Sequence, residues 1–158
     1  WTIEQRGDIP PAIRAAMGEW VFGCDICQEV CPWNGDPLGE LAAEFVTPPA
    51  RRELSLGGVL GGEEGELRTL LRGTPLLRPK ADGLQRNVAV AMGNRRDSGY
   101  IGALAEALES GSPLVRRHSA WALGEIGTAE AKQILQQTLE GEADPDQRRE
   151  LESALGPL

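Results

Sequence analysis

Only three cysteines and a single histidine occur in 158 residues, and no apolar run approaches the length of a bilayer span. The odd cysteine count speaks against a disulfide framework. A zinc site wants four ligands, and His118 stands far along the chain from every cysteine. Trp1 is followed by neither a charged n-region nor an apolar h-region, so the expected setting is the cytoplasm, with no membrane partner. Basic charge is also scarce. Sixteen Lys and Arg against 24 Asp and Glu give a net charge of −8, which at face value argues against a nucleic-acid partner. With 41% hydrophobic residues, the chain can make one domain or two small ones.

The few cysteines are tightly grouped, as Cys24-Asp-Ile-Cys27-Gln-Glu-Val-Cys31-Pro32. This is the tail of a ferredoxin-type ligand run, C-x2-C-x2-C-x3-C-P, whose first position falls here on Val21. Thiolates at this spacing suit iron–sulfur ligation, but one [4Fe–4S] cluster normally takes four and two take eight. Zinc and inert buried thiols are the alternatives. Inert thiols do not account for two close spacings followed by proline, and zinc lacks a fourth ligand nearby.

The scarce basic charge is unevenly placed. Residues 68–96 hold Arg68, Arg72, Arg78, Lys80, Arg86, Arg95 and Arg96 against Asp82 alone, a net of +6 that leaves −14 for the remainder. A concentrated basic stretch can be a phosphate-binding footprint, and scattered solvated charge is the plain alternative.

Organisation divides near residue 66, giving a cysteine segment over 1–46, a connector over 47–65 and a repeat domain over 66–158. Asp8 with Pro10 and Pro11 predicts a helix start, followed by an apolar stripe of Ile13, Met17 and Trp20 that reads as core. Gly23, just before the first cysteine, allows a tight turn. Asp36 and Pro37 predict a second short helix with Leu38, Leu41 and Phe45 on one face. The glycines and prolines of 47–65 predict an irregular connector.

The C-terminal half repeats itself. Gly93, Gly124 and Gly156 recur at 31 and 32 residues, each preceded seven positions earlier by arginine: Arg86, Arg117 and Arg149. Ala91, Ala122 and Ala154 precede the same glycines by two, and Leu104 and Leu108 align with Leu135 and Leu139. Small residues on one helix and leucines on the next predict two-helix units stacked as a short HEAT-like α-solenoid. The third copy is one helix long, which suits a cap. Arginines at one repeat position form either a ladder of phosphate contacts or a structural ladder paired with neighbouring acids. His118 reads as a helix-surface or core-edge residue.

The stretch Phe22-Gly23-Cys24 through Cys31-Pro32-Trp33-Asn34 closely resembles epoxyqueuosine reductases. So do Trp1-Thr2-Ile3-Glu4, Gly73-Thr74-Pro75 with Arg78, and Gly83-Leu84-Gln85-Arg86-Asn87 with Gly93-Asn94, followed by a HEAT-like tail in the same order. That resemblance implies a mainly α fold in which a partial ferredoxin-type iron–sulfur segment precedes a HEAT-like solenoid. It implies reduction of epoxyqueuosine to queuosine in tRNA, with cobalamin, two [4Fe–4S] clusters and an electron donor that the residues do not specify. By the family pattern Cys24 and Cys27 share one cluster, Cys31 completes the other, and the remaining ligands and the proton donor lie in parts absent from this chain. The HEAT-like part would help hold the tRNA anticodon stem–loop. Arg78, Lys80, Arg86, Arg95, Arg96, Arg116 and Arg117 are the candidate tRNA contacts of a monomeric protein. An electron-transfer protein without a tRNA substrate and a binding module without iron are the other readings.

Overall fold

A computed structural model describes residues 1–34 and 54–156, and among them the chain is helical with no strand. Two short helices lie in the cysteine segment, α1 (Pro11–Ala16) and α2 (Ile26–Glu29). Seven follow: α3 (Leu56–Leu60), α4 (Glu64–Leu70), α5 (Lys80–Arg95), α6 (Ile101–Ser110), α7 (Pro113–Ile126), α8 (Ala129–Gly141) and α9 (Pro145–Leu155).

The helix ends follow from local chemistry. At α7, Ser112 Oγ accepts the Val115 N–H, Pro113 occupies the first turn, and Gly127 closes the helix at φ +66°. Thr128 Oγ1 accepts the Ala131 N–H at the start of α8, and Asp144 Oδ1 accepts the Asp146 N–H ahead of α9. Each oxygen satisfies an amide that the helix itself cannot.

α5, α7 and α9 stack side by side, with α6 and α8 lying against them as the second helices of each unit. Two of the three repeat glycines, Gly93 and Gly124, are the crossing points, while Gly156 lies past the end of α9 with nothing within 4 Å of its Cβ position. A Cβ on Gly93 would stand 2.8 Å from the Ala122 Cα, and one on Gly124 would stand 2.7 Å from the Ala154 carbonyl oxygen. Nothing larger than hydrogen fits between these backbones. Leu104, Leu108 and Leu135 are fully buried between layers, and Leu139 packs against them half-buried. The alignment read from sequence therefore describes the packing.

Two expectations need correction, and a third is untested. Residues 54–65 are not an irregular connector, since Ser55 caps α3 and α4 begins at Glu64, so a boundary at 66 falls within a helix. The expected helix after Asp36 lies outside the described residues. His118 is not at a surface or core edge but wholly buried on α7. The N-terminal segment joins the same apolar core, through Ile9 and Met17.

Candidate functional site

The cysteine segment has little apolar interior of its own, so polar side chains from the solenoid hold it. Arg86 on α5 is 0% exposed. Its guanidinium donates to the carbonyls of Gln5 (3.0 Å), Gly7 (2.7 Å) and Trp1 (3.3 Å), and to the Asn87 Oδ1 (2.8 and 3.1 Å). Asn87 Nδ2 donates to the carbonyls of Thr2 (2.7 Å) and Val21 (2.9 Å). Two turns further along the same face, Asn94 Nδ2 donates to the carbonyls of Arg14 (2.9 Å) and Gly18 (2.7 Å). Buried carbonyls without secondary structure need donors, and α5 supplies them.

A second set of contacts comes from α7 and α9. Arg14 is buried, donates to the Ile9 carbonyl (2.6 Å), and forms a two-pronged pair with Glu150 (2.6 and 3.2 Å). Its guanidinium lies 5.7 Å from the Trp121 ring centroid. The Ile9 N–H donates to His118 Nε2 (3.1 Å), so the proton of this imidazole sits on Nδ1, facing the Leu114 carbonyl at 2.8 Å. Burial, with Arg14 nearby, pushes the His118 pKa down to about 3. Asp8 takes both prongs of Arg117, at 2.9 and 3.1 Å. Burial would raise the Asp8 pKa, but Arg117 outweighs it and the carboxyl is held below its ordinary value.

The cysteines lie on the outer rim of this platform. Gly23 turns at φ +69° and donates its N–H to Thr2 Oγ1 (2.9 Å). Cys24 and Cys27 are exposed and Cys31 is partly covered. Asn34 Nδ2 donates to the Gln28 carbonyl and side chain, closing the turn after Cys31. Around them stand the exposed apolar side chains Trp1, Ile26, Val30 and Trp33, the last 92% exposed. A cavity of about 430 Å³ opens beside Cys24, lined by Trp1, Met17, Trp20 and Ile26. Accessible thiols are the right donors for iron–sulfur ligation. Among the described residues no three His, Cys, Asp or Glu side chains are grouped to hold one metal ion.

The seven basic candidates divide by environment. Arg86 is a correction: enclosed by carbonyls, it presents nothing to a phosphate, and burial lowers its pKa to about 10, still charged at neutral pH. Arg117 is committed to Asp8, and Arg116 to Glu142 and the Leu108 carbonyl. Arg78, Lys80, Arg95 and Arg96 are exposed, with Arg78 paired to Glu4, Arg95 to Glu19 and Arg96 to Glu125. They do not form one patch. Arg78 and Lys80 stand at one end of the 16-residue α5 and Arg95 and Arg96 at the other, roughly 24 Å apart. At the repeat position, Arg117 pairs with an acid on another element and Arg149 with Asp146 of its own helix. Sequence reasoning missed Arg14, Asn87 and Asn94 as holding residues. The seven-residue spacing of Asn87 and Asn94, which puts them on one helical face, was the available signal.

Stacked helix pairs bearing a cysteine-rich appendage define the class, and the chain belongs to the HEAT-repeat family, whose profile matches residues 74–156. A profile for 4Fe-4S double cluster binding domains matches residues 1–34. Over most of its length the chain is similar to epoxyqueuosine reductases. It is 38% identical over 132 residues to that of Alicycliphilus denitrificans, covering 78% of this chain and 37% of the relative. With the Bacillus subtilis epoxyqueuosine reductase it shares 27% identity over 96% of this chain and 40% of the relative. A crystal structure of epoxyqueuosine reductase with an epoxyqueuosine-modified tRNA-Tyr stem loop superposes with TM-score 0.84 at 27% identity, covering 96% of this chain and 40% of that one. The chain thus spans about two fifths of the length of the relatives it matches.

Proposed function

We propose that this chain supplies the electron-relay end and the tRNA-facing platform of an enzyme that reduces epoxyqueuosine to queuosine in tRNA. The observation that carries this reading is a cysteine-bearing segment pinned through residues 1–21 to the HEAT helices, within a chain similar over nearly its whole length to epoxyqueuosine reductases. Cys24 and Cys27 serve one [4Fe–4S] cluster and Cys31 the other. The accessible thiols are the donors such clusters take. When bound, the clusters supply single electrons and cobalamin supplies a strongly reduced cobalt able to draw off the epoxide oxygen. This chain's own work is to hold three thiolates in place and to present the stem–loop. Arg78, Lys80, Arg95 and Arg96 remain the candidate phosphate contacts, because an exposed arginine can exchange a surface carboxylate for a phosphate at small cost. Arg116 and Arg117 are weaker candidates, being committed to Glu142 and Asp8.

The test is tRNA binding by the intact protein at several salt concentrations. Replacing Arg78, Lys80, Arg95 and Arg96 with alanine should weaken binding and reduce the salt slope by about one per lost contact. An unchanged slope would remove the tRNA-facing part and favour an iron–sulfur carrier that does not act on tRNA.

A further inference from the structure

Asn87 stands at the centre of a closed ring of hydrogen bonds that reaches the first cysteine. Its Nδ2 donates to the carbonyls of Thr2 and Val21, two points 19 residues apart in sequence and both preceding Cys24. The Thr2 hydroxyl, on the residue so gripped, accepts the N–H of Gly23, the neighbour of Cys24. Asn87 Oδ1 is itself fixed by the buried Arg86, whose other donors hold Trp1, Gln5 and Gly7. Asn87 and Arg86 are 0% exposed and Thr2 is 9% exposed, so the side chains at the centre of the ring are shut off from water, while Val21 and Gly23 at its edge are half-buried. Gly23 lies at φ +69°, a left-handed turn with no secondary structure around it to hold it.

We propose that Asn87 is a positioning residue for the cysteine segment, acting through Thr2 and Gly23 to set where Cys24 enters its cluster. The solenoid is then a template for the iron–sulfur segment as well as a surface for substrate. This rests on the reading of Cys24 as an iron ligand.

Two substitutions separate positioning from general stability. Asn87→Asp keeps the acceptor for Arg86 and removes both donations to the segment. Thr2→Val keeps shape and removes only the hydroxyl that holds Gly23. Amide hydrogen exchange of the 158-residue chain, read by mass spectrometry, should show residues 1–5 and 20–25 exchanging about tenfold faster or more in Asn87→Asp. Residues 101–156 should keep wild-type protection. Thr2→Val should accelerate residues 22–25 alone. The same substitutions in the intact protein, reconstituted anaerobically with iron and sulfide, give bound iron, with Cys24→Ala as the reference for loss of the ligand. Both positioning variants should bind less iron than wild type and no less than Cys24→Ala. Unchanged exchange at 20–25 in both variants would overturn the proposal. So would acceleration spread evenly over the whole chain in Thr2→Val, the milder change, which decides the matter if Asn87→Asp unfolds. An intact wild-type protein that binds no iron, together with the predicted exchange pattern, would instead sink the electron-relay reading and leave the ring standing.

Discussion

His118 accepts from one backbone amide and donates to one carbonyl inside the solenoid, and only the neutral imidazole can do both. Its folded pKa lies below the ordinary histidine value, so the unfolded chain binds the proton first as pH falls. Stability is therefore full above about pH 6.5 and is lost as pH falls towards 3, and the depressed Asp8 carboxyl acts in the same direction. Thermal melts between pH 7 and 4 should show this loss, and His118→Gln, neutral throughout, should show a shallower one. Arg14 makes a second claim at the same scale. Its charge is buried and matched by Glu150, so Glu150→Ala should cost about 3–5 kcal/mol in urea unfolding, far more than a surface pair. Neither residue could be picked out from the sequence. Arg14 and Glu150 are 136 positions apart, and a charge pattern along the chain does not reveal which charges fold against each other.

At the scale of helices, the 31-residue glycine period and the leucines aligned with it were fully legible, because close helix approach demands small residues at fixed intervals. The test is a contrast between glycines. Gly→Ala inside a helix normally gains about 0.5–1 kcal/mol. At Gly102 on α6, where a Cβ meets nothing within 4 Å, that gain should appear. At Gly93 and Gly124 a Cβ would strike neighbouring helix backbone, and the change should instead cost about 1–3 kcal/mol. Equilibrium unfolding of the three variants decides it. Less legible was the stretch at 54–65. Its glycines suggested a connector, yet the Ser55 cap and the packing of Val59 and Leu60 into the core override their weak helix propensity. The repeat arginines were legible as a ladder but not as to its kind, since pairing with acids or carbonyls depends on elements brought in from the N-terminal segment.

In the whole molecule, an N-terminal segment poor in internal packing is pinned to a solenoid by Arg86, Asn87, Asn94, Arg14 and His118, leaving three thiols and a patch of exposed apolar side chains at the rim. The cysteine spacing announced this site, while Arg86, Asn87 and Asn94 lay inside what looked like a basic stretch, with Arg14 and His118 outside it. Arg86 shows the difference most sharply. Arg86→Ala should destabilise the segment and leave the salt dependence of tRNA binding unchanged, the opposite of Arg96→Ala on the surface. The proposed sharing, Cys24 and Cys27 on one cluster and Cys31 on another, is read out by iron content and low-temperature EPR on the intact protein. Cys24→Ala, Cys27→Ala and their double variant should each lose the same single cluster signal, Cys31→Ala should lose the other, and Cys24→Ala with Cys31→Ala should lose both. Loss of one and the same cluster in all three single variants, or iron content unchanged in any of them, would contradict the account.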